Sequence, residues 1–150
     1  MYQSILVPLD GSEPSHNGLR HAIDIARDAK ATLHLVHVID SFPMMFELSS
    51  QGGLESMNQS LRRWAEGMLK TGQRQAAEQG VKAEVILREL TQGRVADVIV
   101  EVAKEASCDL IVLGTHGRRG LRRLMLGSDA EAVARTSPVP VLLVPYRPEK

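Results

Sequence analysis

Cysteine is nearly missing: Cys108 is the only one in 150 residues. A single thiol rules out an intramolecular disulfide and any cysteine-based metal cluster. It borders an apolar, strand-like run, which points to a buried, inert thiol rather than a reactive one. Aromatic residues make up only 3% of the chain, too few for a platform on which nucleic-acid bases would stack. Net charge is lacking too, because 18 Lys and Arg balance 18 Asp and Glu. No global field therefore draws the protein to DNA or to an anionic membrane, and any electrostatic partner has to be read locally. No apolar run approaches the ~20 residues that span a bilayer. The opening MYQSILVPLDGS has neither the basic leader nor the apolar segment of a signal peptide. The expectation is a cytoplasmic protein with no membrane and no nucleic-acid partner. The length suits a single domain, 1–150, with one core.

Five β-rich runs alternate with helix-like stretches: residues 4–9, 32–39, 82–90, 109–115 and 139–145. The first, fourth and fifth are almost continuously apolar, as strands covered on both faces are. Leu19, Ala22, Ile23 and Ala26 recur at helical spacing, as do Val95, Val98, Ile99, Val102, Ala103 and Ala106. Leu54, Met57, Leu61, Trp64, Ala65 and Met68 predict a longer helix over about 54–79, closed by Gly80, with Trp64 and Met57 in the core. Ser12 reads as an N-cap with Pro14 in the first turn. Ser128, or Gly127 before it, opens a last helix running to about Thr136. The alternation βαβαβαβαβ predicts a parallel sheet with helices on both faces and right-handed crossovers. Residues 40–54, with Met44, Met45 and Phe46, form the least regular stretch and read as a loop: a lid, a dimer contact or a loosely packed surface.

Open α/β sheets bind ligands beyond the carboxyl ends of their strands, where the winding reverses. Two strand ends are unusual here, PLDGS at 8–12 and GTHG at 114–117. If those strands are neighbours, Asp10 and the glycine-rich stretch GTHGRRGLRRLMLGS line one crevice. Gly114 and Gly117 would let the backbone come close to a ligand and take positive φ. Gly127 and Ser128 open a helix whose free N–H groups, dipole and hydroxyl suit phosphate. Arg118, Arg119, Arg122 and Arg123 could offset phosphate charge, form a solvated loop, or meet a nucleic acid or protein partner. His116, between the two glycines, is either a phosphate contact or a solvent-facing loop residue. The stretch is neither a Walker A loop nor a G-x-G-x-x-G fingerprint. Asp10 has a plainer reading as well, since Asp-Gly is a common turn pair. His34 and His37 read as structural, with no third metal ligand at an obvious spacing. His16 and His21 fall on the exposed face of the first helix.

Gly114-x2-Gly117-x9-Gly127-Ser128 resembles the ATP-binding pattern G-x2-G-x9-G-(S/T) of the universal stress protein family. The opening ILVPLDGSEPS, the second strand LHLVHVID and the closing SPVPVLLVP are similar to that family too. The resemblance covers essentially the whole chain. It implies a Rossmann-like, adenine nucleotide alpha hydrolase-like fold: an open five-stranded parallel sheet of order 3-2-1-4-5 with helices on both faces. It also implies ATP, or ADP or AMP, lying across the ends of strands one and four. Pro8, Leu9 and Asp10 would border the adenosine, with Asp10 near the ribose or the base, and Val38 would give a backbone contact to adenine. Gly114 and Gly117 would pass under the ribose and the inner phosphates, with His116 and Arg118 close by. Gly127 and Ser128 would hold the terminal phosphates. A homodimer through the last strand, Val141, Leu142, Leu143 and Val144, is implied as well, and would cover an apolar edge.

The chain departs from the family pattern after Ser128, where Asp129 and Ala130 stand in place of a small or apolar residue and a second hydroxyl. A carboxylate beside the terminal phosphate repels it unless a cation bridges them, so Mg2+ or a shorter nucleotide is expected. No paired acid and base stands out, and no catalytic residue or intrinsic metal site is assigned. The function implied is a nucleotide-binding stress-response module acting on an unidentified protein partner. The alternatives are a nucleotide-free dimeric interaction protein and a slow ATPase or phosphotransferase using Ser128 or Asp129.

Overall fold

The structure, a computed structural model, describes residues 1–41, 51–115 and 126–148, the side chain of Gln51 excepted. Among the described residues five strands alternate with four helices. They are β1 (Ser4–Pro8), α1 (Glu13–Ala29), β2 (Thr32–Ile39), α2 (Gln51–Glu78), β3 (Ala83–Glu89), α3 (Val95–Glu105), β4 (Leu110–Gly114), α4 (Ser128–Thr136) and β5 (Val141–Val144). All pairings are parallel, in the order β3-β2-β1-β4-β5. The winding therefore reverses between β1 and β4, the crevice the two unusual strand ends pointed to.

Local chemistry explains the elements. Ser12 caps α1 in extended conformation, its Oγ accepting from the Ser15 amide at 3.3 Å, and Pro14 sits in the first turn, where its missing N–H costs nothing. Leu19, Ala22, Ile23 and Ala26 form the buried stripe of α1. The alternation along the strands divides the core in two. Ile5, Val7, Leu33, Leu35, Leu110 and Val112 meet α1 and α2 on one face. Leu6, Val36, Val38, Ile111 and Leu113 meet α3 and α4 on the other. Cys108 is buried in that second core, with its thiol 3.6 Å from Ser4 Oγ. Burial pushes its pKa up; the Ser4 contact opposes this and Asp109 adds to it.

Two packing expectations are corrected. β1 and β4 are covered on both faces, but β5 is a sheet edge and leaves Leu142 39% exposed. Trp64 is not in the core: it is 51% exposed. On α2 the buried residues are Ala65, Leu69, Gly72 and Ala76; of the expected stripe Ala65 is buried, Met68 packs against the core and Met57 is half-buried. Periodicity locates an apolar face but does not say where along a helix the sheet beneath it stops. Of the irregular stretch 40–54, residues 51–54 belong to α2 rather than to a loop, and 42–50, with Met44, Met45 and Phe46, lie outside the described residues.

Candidate functional site

The site is built where β1 runs out. Past Pro8 one more sheet-like bond forms, from the Leu9 amide to the Val36 carbonyl at 2.8 Å. The chain then turns at Asp10-Gly11. Asp10 Oδ1 accepts from the Ser12 amide at 2.9 Å and from the Ser12 hydroxyl at 2.5 Å. This is the turn-capping role that Asp-Gly suggests, and the same residue also lines the cleft. Asp10 thus makes the turn and stands on the cleft wall at once. Gly11 sits at φ +81°, a conformation that favours glycine, and a Cβ there would lie 2.7 Å from the Trp64 ring and push it aside.

A cleft of about 300 Å³ opens at the carboxyl ends of β1, β2 and β4, at the lower end of the range for small-molecule pockets. Pro8, Leu9, Asp10, Val38, Gly114, Gly127, Ser128 and Asp129 all line it. Eight positions scattered from 8 to 129 in sequence are thus gathered at one point. His116, Gly117 and Arg118, and with them Arg119, Arg122 and Arg123, lie outside the described residues.

Gly114 has a different task from the one expected. Its φ is not positive. A Cβ at Gly114 would lie 1.8 Å from the Pro14 carbonyl oxygen, and one at Gly18 would lie 2.8 Å from the Gly114 amide nitrogen. The first turn of α1 rests directly on the end of β4, backbone against backbone. Gly114 lines the cleft, but what forbids a side chain there is the helix.

Across the cleft, Gly127 is the N-cap of α4 and offers no side-chain acceptor, and the first helical bond runs from the Glu131 amide to the Gly127 carbonyl at 2.9 Å. The amides of the intervening first turn are groups a helix cannot satisfy from within, and they carry the positive end of its dipole. Asp129 and Glu131 also stand in that turn. They favour the helix but oppose an anion. Asp10, Asp40 and Asp129 bring three carboxylates to the lining, and among the described lining residues there is no Lys or Arg.

The sequence reading missed Ser12, Ser15, His37, Asp40, Val95 and Ile99 as lining residues. Ser15 is a buried polar residue, 7% exposed; its hydroxyl donates to the Ser12 carbonyl at 2.9 Å and accepts from the Asp10 amide at 3.4 Å. His37 does have a structural partner, with Nδ1 2.6 Å from the Leu9 carbonyl oxygen. It also sits edge-on to Trp64, with ring centroids 5.5 Å apart at 79°. Its neighbour Val38 was the only signal for it, and strand alternation sends the two side chains to opposite faces. His34 lies 3.6 Å from Glu84 on the adjoining strand, and among the described residues no group of three or more metal-ligating side chains forms.

Residues 1–145 match the universal stress protein family. A universal stress protein of Methanocaldococcus jannaschii is 38% identical over 150 residues, spanning 100% of this chain and 85% of that protein. The crystal structure of a universal stress family protein from Burkholderia pseudomallei superposes with a TM-score of 0.79 at 30% identity, covering 97% of each chain. A universal stress protein crystallised in complex with cAMP gives a TM-score of 0.69 at 26% identity, covering 95% of this chain and 96% of that one.

Proposed function

We propose that this chain, which belongs to the universal stress protein family, binds an adenine nucleotide in the switch-point cleft and acts as a regulatory module. One observation carries the reading. The described residues of the glycine motif, Gly114, Gly127 and Ser128, face Pro8, Leu9, Asp10 and Val38 across a single cleft. A solved relative that is a complex with cAMP favours adenine as the base.

In this reading the apolar wall of Val36, Val38, Val95 and Ile99 receives the base, and Asp10 hydrogen-bonds the ribose or the base. The first turn of α4, with Ser128, takes phosphate. The Asp129 carboxylate beside the terminal phosphate favours a nucleotide with few phosphates, or ATP or ADP carried with Mg2+. Asp129 supplies a hard oxygen ligand of the kind Mg2+ takes. Binding orders the residues around the phosphates and so changes a surface that a protein partner reads. The exposed, apolar β5 edge pairs with its copy to give a homodimer. No side chain is assigned to bond breaking; slow ATP hydrolysis or phosphotransfer through Ser128 is the enzymatic alternative, and a single-turnover assay without product over hours counts against it.

Calorimetric titration of nucleotide-stripped protein with ATP, ADP and AMP, first with Mg2+ and then with chelator, tests the proposal. Saturable binding near one per chain is expected, with ATP losing affinity in chelator. Absence of binding by all three nucleotides would leave a nucleotide-free dimeric interaction protein, for which the exposed β5 edge is the surface to examine.

A further inference from the structure

The peptide unit between Leu9 and Asp10 is held from both ends. Its carbonyl oxygen receives His37 Nδ1 at 2.6 Å, and its amide donates to Ser15 Oγ at 3.4 Å. A backbone carbonyl can only accept, so this contact requires the proton to be on Nδ1. Leu9 lies one residue past the end of β1, so a side chain takes over there from the ladder between β1 and β2. Asp10 rides on this peptide, and its carboxylate is turned back onto Ser12. The His37 ring is in turn braced edge-on by Trp64, whose indole also closes over Gly11.

We propose that His37 is a positioning residue of the cleft: by donating from Nδ1 to the Leu9 carbonyl it sets the orientation of Asp10 toward the ligand. Through its ring contact it makes Trp64 a reporter of that orientation. The inference rests on the adenine-nucleotide reading and goes beyond it, because His37 need not touch the nucleotide. Without the donor, a half-buried carbonyl at the cleft wall has to find water or swing away, and Asp10 swings with it. An imidazole protonated on Nε2 alone lacks this donor, so the tie depends on which ring nitrogen carries the proton. Trp64 is the chain's one tryptophan. Its emission therefore reads this corner of the molecule alone.

Two measurements on the full chain test the proposal. Long-range 1H–15N correlation of the imidazoles should find His37 protonated on Nδ1; protonation on Nε2 alone would overturn it. Titration with AMP, ADP and ATP, by calorimetry and by Trp64 emission, should show His37→Phe weakening the best ligand by about tenfold. His37→Asn, whose amide nitrogen occupies the place of Nδ1, should restore affinity to within about threefold. If His37→Phe does not fold, the smaller His37→Leu takes its place. A folded Phe or Leu variant that binds like the wild type, or an Asn variant as weak as they are, refutes the positioning role. The two readings fail separately. A wild-type protein with the Nδ1 proton and no affinity for any of the nucleotides refutes the nucleotide function and, with it, the role of the tie in binding. Binding by a wild-type protein with only the Nε2 proton refutes the positioning role alone.

Discussion

Gly114→Ala should damage the fold before it damages any binding site. The added methyl would sit 1.8 Å from the Pro14 carbonyl oxygen, 2.3 Å from its carbonyl carbon and 2.9 Å from the Ser15 nitrogen, where ordinary contact begins at 3.4 Å. All three are backbone atoms, so no side chain can rotate out of the way. The first turn of α1 would have to retreat by about 1.6 Å, the difference between those distances. That turn carries the buried Pro14 and Ser15, Gly18 follows in the next turn, and behind them Leu19, Ala22 and Ile23 pack on the sheet. Overpacking costs about 1–3 kcal/mol even where side chains can adjust, so a loss of about 3 kcal/mol is the expectation here. For a chain of this size that lowers the thermal midpoint by roughly 6–12 °C. Circular dichroism melting of the purified variant measures it. A melting point unchanged within about 2 °C would refute the argument that α1 and β4 meet backbone to backbone. The contrast is Gly117, the motif's next glycine: a bulky residue there should abolish nucleotide binding and leave the melting temperature alone.

Three further outcomes are expected. Asp129→Asn should remove a carboxylate from the phosphate end of the cleft, raising ATP affinity in chelator by about three- to tenfold and narrowing the gap between chelator and Mg2+ titrations; an unchanged gap would remove Asp129 from the metal argument. Leu142→Arg should place charge on the exposed β5 edge and shift sedimentation toward monomer without changing the melting temperature; an unaltered sedimentation coefficient would rule β5 out as the interface. The thiol of Cys108, pushed up mainly by burial, binds its proton more tightly in the folded chain than in the unfolded one. Stability should therefore fall as pH rises through the alkaline range above the ordinary thiol value. That decline should be shallower in Cys108→Ala, and an equal slope in the two proteins would mean the thiol contributes nothing.

What the sequence alone determined is what depends on near neighbours along the chain. The capping of α1 by Ser12, the stop of α2 just before Gly80 and the opening of α4 at Gly127-Ser128 need only a few adjacent residues, and each was legible. The βα alternation followed from hydrophobic period, and the spacing of Gly114, Gly127 and Ser128 marked the cleft through resemblance to a family. Tertiary structure decided whatever joins residues far apart. His37 finds the Leu9 carbonyl 28 residues away, and no periodicity foretells a ring that replaces a strand amide. Trp64 obeys its helix's apolar spacing, yet it sits over Gly11 at the rim, half in solvent. Gly114 belongs to the sequence motif, but the reason a side chain is forbidden there is the carbonyl of Pro14, a hundred residues earlier. Such contacts exist only once the sheet has brought β1, β2 and β4 side by side, because the distance between two backbone segments is a property of the packed chain and not of either segment.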